Sequence, residues 1–166
     1  MSYILSAQRE LNVVRAFQKY RQYLEQAKSV FAVSAFELAT ADWYFDPKDH
    51  RCPHDARLQQ LVVSESSTSD GNSSVSAKVI LQSAHRDMIL EFHYPKVFGY
   101  DCVLSDASTG HRDWLYDEFR LSDSGNVVHE IEWSGPEQLG RWLIEASDVL
   151  LHVKPVTNKD MFGGGS

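Results

Sequence analysis

The sequence predicts an α+β fold in which N-terminal helices, one long and one or two short, pack on a mainly antiparallel β-meander sheet. Apolar residues have helical spacing near the N-terminus, and the spacing changes to that of strands after about residue 60. The segments between the predicted strands are too short for the dozen or more residues of a helical crossover, so neighbouring strands should be antiparallel.

The first predicted element is one long amphipathic helix over about residues 6–31. Its apolar side chains recur in alternating steps of four and three, at Val13, Phe17, Tyr20, Leu24, Ala27 and Phe31. The opposite face carries Arg9, Arg15, Lys19, Arg21 and Lys28. We interpret this mildly basic face as a solvated outer surface, because charged outer faces are usual for surface helices.

Two shorter helical segments are predicted before the strands begin. Ser34 followed by Glu37 fits a capping box, which predicts a second helix over about residues 35–44. Pro53 is suited to the first position of a helix and predicts a helical turn over about residues 53–61.

Strand periodicity predicts eight strands, near residues 60–65, 77–83, 88–94, 98–104, 114–121, 127–133, 142–145 and 149–153. The serine-rich segment 64–76 lies between two strand patterns and is interpreted as a flexible hairpin loop. Asp123-Ser124-Gly125-Asn126 predicts a second and tighter hairpin turn.

The length of 166 residues fits one compact domain, which we place at residues 1–162. Residues 163–166, Gly-Gly-Gly-Ser, resemble an engineered flexible linker. The N-terminus lacks the features of a signal peptide, and no apolar run approaches the ~18 residues that cross a bilayer. With only Cys52 and Cys102 as cysteines, the sequence favours free thiols in a reducing compartment, so we expect a cytoplasmic protein without membrane contact.

The densest group of reactive side chains is His50, Cys52 and His54, flanked by Asp49 and Asp55. Histidine and cysteine are common zinc ligands, but the second ligand pair of a structural zinc site is missing from the sequence. We therefore expect no metal or other cofactor. A metal-dependent enzyme or metal-binding protein that uses His50, Cys52 and His54 is kept as the alternative function.

Catalytic and nucleotide-binding motifs are absent from the sequence. It contains no Gly-x-Ser-x-Gly, Gly-x-Gly-x-x-Gly or phosphate-binding Gly-x-x-x-x-Gly-Lys-Ser/Thr pattern, and no Glu-x-Lys pair of the kind found in restriction-type nucleases. The net charge of −7 argues against binding to nucleic-acid phosphates. These absences favour a binding protein over an enzyme.

The negative charge is concentrated in one contiguous segment. Residues 101–150 contain only three basic residues, all arginine, and have a net charge of −8. The eleven acids of this segment are Asp101, Asp106, Asp113, Asp117, Glu118, Asp123, Glu130, Glu132, Glu137, Glu145 and Asp148. The rest of the chain is close to neutral, so the net negative charge comes from residues 101–150.

Strand alternation places several of these acids on shared faces beside aromatic residues, a combination that suits protein docking. The predicted partner-binding residues are Asp113, Trp114, Tyr116, Asp117, Glu118, Glu130 and Glu132. They predict a small acidic binding module, a bacterial immunity or inhibitor protein that occludes the active site of a basic partner such as a toxin domain. The competing interpretation is a solubilising outer sheet face, with Trp114, Trp133 and Trp142 turned inward.

Overall fold

A computed structural model describes residues 2–67, 69–103, 107–108, 110–134 and 140–157. Within these residues, three N-terminal helices precede eight strands. The helices are α1 (Ser6–Leu11), α2 (Val13–Ala27) and α3 (Val33–Thr40). This arrangement confirms the predicted α+β class. The linker-like residues 163–166 lie outside the described part of the chain.

The single long helix predicted near the N-terminus is interrupted at Asn12. This residue is extended, with φ −171° and ψ 106°, and its side-chain oxygen accepts a hydrogen bond from Arg15 N at 2.9 Å. Asparagine is a favourable N-cap, so α2 begins afresh after it. The buried face of α2 contains Tyr20, Leu24 and Ala27, as the apolar stripe predicted.

The start of α3 is capped by a distant residue. The Asp148 carboxylate accepts hydrogen bonds from Ala35 N at 3.0 Å and from Ser34 N at 3.4 Å, and the N-cap residue Ala32 makes no side-chain cap. The predicted capping box is therefore wrong, as is the helical turn predicted over residues 53–61, because the first strand already begins at Arg57.

All eight predicted strands are present, and every pairing is antiparallel. The strands are β1 (Arg57–Ser67), β2 (Ser73–Gln82), β3 (Met88–Tyr94), β4 (Val97–Val103), β5 (Trp114–Leu121), β6 (Val127–Trp133), β7 (Gly140–Ala146) and β8 (Leu150–Pro155). They form a first sheet in the order β1-β2-β3-β8 and a second sheet in the order β4-β7-β6-β5. Strands β1 and β2 extend into the segment that was predicted as a flexible loop.

The two sheets are joined by one bent ribbon of strands. Only Pro95 and Lys96 separate β3 from β4, and β3 pairs with β8 in one sheet while β4 pairs with β7 in the other. A second link joins the opposite edges, where Trp114 N donates to Ala56 O at 2.9 Å and Asp55 N donates to Trp114 O at 2.7 Å. The sheets therefore enclose a common core that α2 and α3 also cover.

The three described helices are too short or too polar to span a lipid bilayer.

Candidate functional site

Four of the predicted partner-binding residues lie together on one face of the second sheet. Tyr116 is the cross-strand partner of Glu132, and Glu118 is the partner of Glu130. Because cross-strand partners point to the same side of a sheet, these four side chains and Arg120 form one continuous surface, which we call the acidic face. Strand alternation placed Tyr116, Glu118 and Arg120 on one face of β5, and Glu130 and Glu132 on one face of β6. It also placed Trp114 on the first of these faces, which is wrong because the register is irregular between Trp114 and Tyr116.

The carboxylates of the acidic face are not exposed to solvent. Glu118 and Glu132 are fully buried, and Glu130 is 5% exposed. The predicted exposure of these carboxylates is therefore wrong. The reason is that residues 3–9, from the N-terminus of the same chain, lie across this part of the sheet.

The N-terminal segment binds the acidic face through its backbone and through Arg9. Glu118 Oε2 accepts hydrogen bonds from Tyr3 N at 2.8 Å and from Ile4 N at 2.9 Å. Arg9 Nη1 donates to Glu132 Oε2 at 3.1 Å, and its guanidinium carbon lies 4.1 Å from the centre of the Tyr116 ring. The basic group that the acids were predicted to meet on a partner is thus supplied by the chain itself.

Two further arginines compensate the remaining charge of the acidic face. Arg120 is hydrogen-bonded to Glu130 and lies 3.5 Å from Glu118 Oε1, while Arg141 Nη1 lies 3.1 Å from Glu130 Oε1. Burial raises the pKa of Glu118, and the N–H groups of the N-terminal segment and nearby Arg120 offset part of that effect. Glu118 therefore connects the N-terminal segment to the sheet through its hydrogen bonds, while burial disfavours its ionised form.

Trp114 and Asp117 point to the opposite side of β5, into the core. Asp117 Oδ1 accepts from Trp114 Nε1 at 2.9 Å, and Oδ2 accepts from Tyr44 Oη at 2.7 Å and from His129 Nε2 at 2.9 Å. The other nitrogen of His129 is 2.8 Å from Tyr94 Oη. All five residues are at most 1% exposed, so this network is sealed from any partner and connects β5 to its surroundings.

The last predicted partner-binding residue, Asp113, lies at the edge where the two sheets meet. Its Oδ1 atom is 3.6 Å from Arg57 Nε, and both side chains are about half exposed, at 45% and 59%. An ion pair with this much solvent contact contributes little to stability. Asp113 and Tyr116 are the two predicted site residues that keep part of their surface in contact with solvent.

The exposed surface is not acidic within the described residues, where eleven acidic and eleven basic side chains are exposed. Of the eleven acids in residues 101–150, Asp106 and Glu137 lie outside the described residues. Among the other nine, four are buried, three (Asp113, Glu145 and Asp148) are partly exposed, and Asp101 and Asp123 are exposed. The charge asymmetry of the sequence therefore reflects in large part the four acids that are buried and compensated inside the fold.

The alternative site residues His50, Cys52 and His54 each have a separate partner. His50 Nδ1 lies 2.6 Å from Asp87 Oδ2, the Cys52 thiol donates to Tyr44 O at 3.1 Å, and His54 Nδ1 is hydrogen-bonded to a backbone carbonyl of β5. Burial raises the pKa of the Cys52 thiol to about 11, which disfavours the thiolate that a metal requires. Among the described residues, no group of three or more His, Cys, Asp or Glu side chains is arranged to hold a metal ion.

A cleft of about 440 Å³ opens between α2 and the end of α3. It is lined by Phe17, Tyr20, Arg21, Leu24, Glu25, Ala39, Thr40, Ala41, Asp42 and Phe45. None of the predicted site residues lines this cleft. No histidine or cysteine lines the cleft, so it offers neither a cysteine nucleophile nor a histidine base.

The edge of the second sheet at β5 is closed by tyrosine hydroxyls from α2. Tyr20 Oη accepts from Phe119 N at 2.8 Å and donates to Phe119 O at 3.0 Å, and Tyr23 Oη accepts from Leu121 N at 2.7 Å. Side-chain hydroxyls therefore take the place of a neighbouring strand. This arrangement prevents another chain from pairing with β5.

The opposite edge of the same sheet, at β4, has no neighbouring strand among the described residues, and it exposes apolar side chains beside Asp101. Phe98, Tyr100 and Val103 are 49%, 54% and 59% exposed, on a strand that is paired on one side only, with β7. Periodicity predicted this strand but not its position at the edge, because strand order cannot be derived from periodicity. The sequence matches no protein-family model, and no curated protein or solved structure resembles the chain at a significant level.

Proposed function

We propose that this protein is a protein-binding module of the inhibitory class, an immunity-type protein that docks on a partner such as a bacterial toxin domain through the edge of β4. The observation that carries this proposal is the exposure of Phe98, Tyr100 and Val103 along one open strand edge. Aromatic side chains supply large contact areas in protein interfaces, and an open edge supplies unpaired backbone donors and acceptors.

The contrast between the strand edges supports this proposal. Natural sheets protect their edges with charges, proline or covering side chains. The β5 edge is covered by hydroxyls from α2, and the β8 edge ends in Lys154 and Pro155. The β1 edge exposes Val62 and Val63 among mostly polar residues. An edge strand that exposes two aromatic rings and a valine promotes unwanted association, so its retention at β4 favours a role in binding.

The proposed contact differs from the acidic docking that the sequence predicted. Because exposed charges are balanced in the described residues, affinity comes from strand addition and aromatic burial, and the acidic face serves to hold the N-terminus. A stable interface buries about 800 Å² on each partner. Seven residues of edge strand are too few for this, so surfaces beside β4 complete the interface.

Toxin neutralisation tests the proposal directly. The chain is co-expressed with each product of a neighbouring gene that arrests growth when expressed alone, and growth is measured for the wild type and for Tyr100→Arg and Val103→Lys. We expect the wild type to restore growth and the two variants to lose protection, because charge on the edge opposes strand addition. The matched control is Val33→Lys, at a position on α3 that is 70% exposed and far from β4 in sequence.

Thermal unfolding of each purified variant separates loss of binding from loss of folding. Failure of the wild type to neutralise the toxin would contradict the inhibitory role. Full protection by Tyr100→Arg and Val103→Lys would show instead that the interface lies elsewhere.

A further inference from the structure

Three nitrogen atoms without hydrogen-bond partners lie in one aromatic cluster of the core. Among the described residues, His111 Nε2, Trp133 Nε1 and Trp142 Nε1 are buried and unpaired. The three rings are in mutual contact, with ring centres 4.3 Å apart for His111 and Trp133, 5.1 Å for His111 and Trp142, and 4.9 Å for the two tryptophans. Trp133 is fully buried and Trp142 is 3% exposed.

Unpaired polar atoms are rare in protein interiors, because each one loses its hydrogen bonds to water on folding. The other two such atoms in the described residues, Glu118 Oε1 and Arg120 Nε, face each other at 3.5 Å as an ion pair. The aromatic cluster has no such compensation. Three unpaired nitrogens in one place therefore indicate a site that recognises a polar group.

The hydrogen-bonding character of the three nitrogens can be assigned. His111 Nδ1 lies 3.2 Å from the Arg112 carbonyl oxygen and so carries the ring proton. Burial lowers the pKa of His111, which keeps the ring neutral and leaves Nε2 as an acceptor. Each indole nitrogen is a donor. The cluster thus offers two donors and one acceptor.

A hydroxyl group matches this set, since it accepts two hydrogen bonds and donates one. A carboxylate has no proton to donate to His111, and an ammonium group has no lone pair for the indoles. We propose that the cluster of His111, Trp133 and Trp142 binds one hydroxyl group of a sugar or polyol. The C–H groups of such a ligand would pack on the aromatic rings, and His111 is the partly exposed member of the cluster.

Trp142 lies on β7 opposite Cys102 of β4, so the cluster borders the strand of the proposed docking edge. The two proposals are still tested separately, because the docking variants change Tyr100 and Val103 and the ligand test changes His111.

Indole N–H resonances of ¹⁵N-labelled protein test the proposal. The probes are methyl α-D-glucopyranoside and glycerol, and the control is 1,2-dimethoxyethane, which accepts hydrogen bonds but cannot donate one. We expect the Trp133 and Trp142 signals to shift together, saturably and with a single Kd, for a hydroxylated probe and not for the ether. Signals that stay unmoved with both hydroxylated probes, the result for a site that holds only buried water, would overturn the proposal.

Substitutions identify the group that accepts the hydroxyl proton. His111→Phe keeps an aromatic ring and removes the acceptor, and we expect it to weaken binding about fivefold, the effect of one hydrogen bond. Trp43→Phe, outside the cluster, is the matched control and should leave the Kd unchanged. Unchanged affinity in a folded His111→Phe variant would refute the assigned hydrogen bond.

Discussion

Replacing Tyr20 with phenylalanine tests how the β5 edge is held. The change removes one hydroxyl that is 1% exposed and leaves the ring in place. That hydroxyl accepts from Phe119 N at 2.8 Å and donates to Phe119 O at 3.0 Å. The substitution therefore leaves two backbone groups of a fully buried residue without partners.

The expected loss of stability follows from these two groups. A buried donor or acceptor without a partner costs about 1–3 kcal/mol, so we expect the free energy of unfolding to fall by about 3 kcal/mol. Domains unfold with only about 5–15 kcal/mol, which makes this a large fraction. For a chain of this size, the melting temperature should fall by about 6–12 °C.

Urea denaturation of the wild type, Tyr20→Phe and Tyr23→Phe measures this effect. Tyr23→Phe is the matched control, because its hydroxyl accepts only from Leu121 N at a part-buried position, and we expect it to cost about 1 kcal/mol. Hydrogen exchange at the Phe119 amide should accelerate in Tyr20→Phe alone. If Tyr20→Phe costs no more than Tyr23→Phe, the hydroxyl does not replace a neighbouring strand.

Three further predictions concern the N-terminal segment and the buried thiol. Arg9→Ala should lower the free energy of unfolding by about 2 kcal/mol, because a charged hydrogen bond is lost. Amide exchange at Tyr3 and Ile4 should become faster while the sheet stays protected. Equal acceleration throughout the sheet would count against a segment that unfolds separately. Because the pKa of Glu118 is raised in the folded state, its contribution to stability is present below its ordinary pKa of about 4.5 and is lost as the pH rises through the folded value. In urea denaturation from about pH 4.5 to 7, the wild type should therefore lose stability relative to Glu118→Gln. A pH-independent difference between the two proteins would refute this. Burial raises the pKa of the Cys52 thiol to about 11, so it should react with iodoacetamide at pH 8 much more slowly in native protein than in urea. Mass spectrometry follows the reaction. Equal rates would contradict the burial of the thiol.

Local patterns predicted the elements that depend on local geometry. All eight strands were expected from their two-residue period, and the turn at residues 123–126 contains Gly125 at φ 80°, a conformation that glycine adopts readily. The period also placed Glu130 and Glu132 on one face of β6, whereas the pairing of Glu118 with Glu130 depends on the register between the strands. The break at Asn12 was missed, although asparagine is a favourable N-cap, because the apolar stripe continues past it.

The sequence by itself determined the α+β class and the strands, because helix and strand periods are properties of neighbouring residues. Only the tertiary structure decided which face is covered. Tyr3 N and Glu118 Oε2 are 115 residues apart in the chain, and Asp148 caps a helix that begins at Val33. Whether the carboxylates of the acidic face are exposed or buried depends on what packs over them. In this fold the chain's own N-terminal segment covers them.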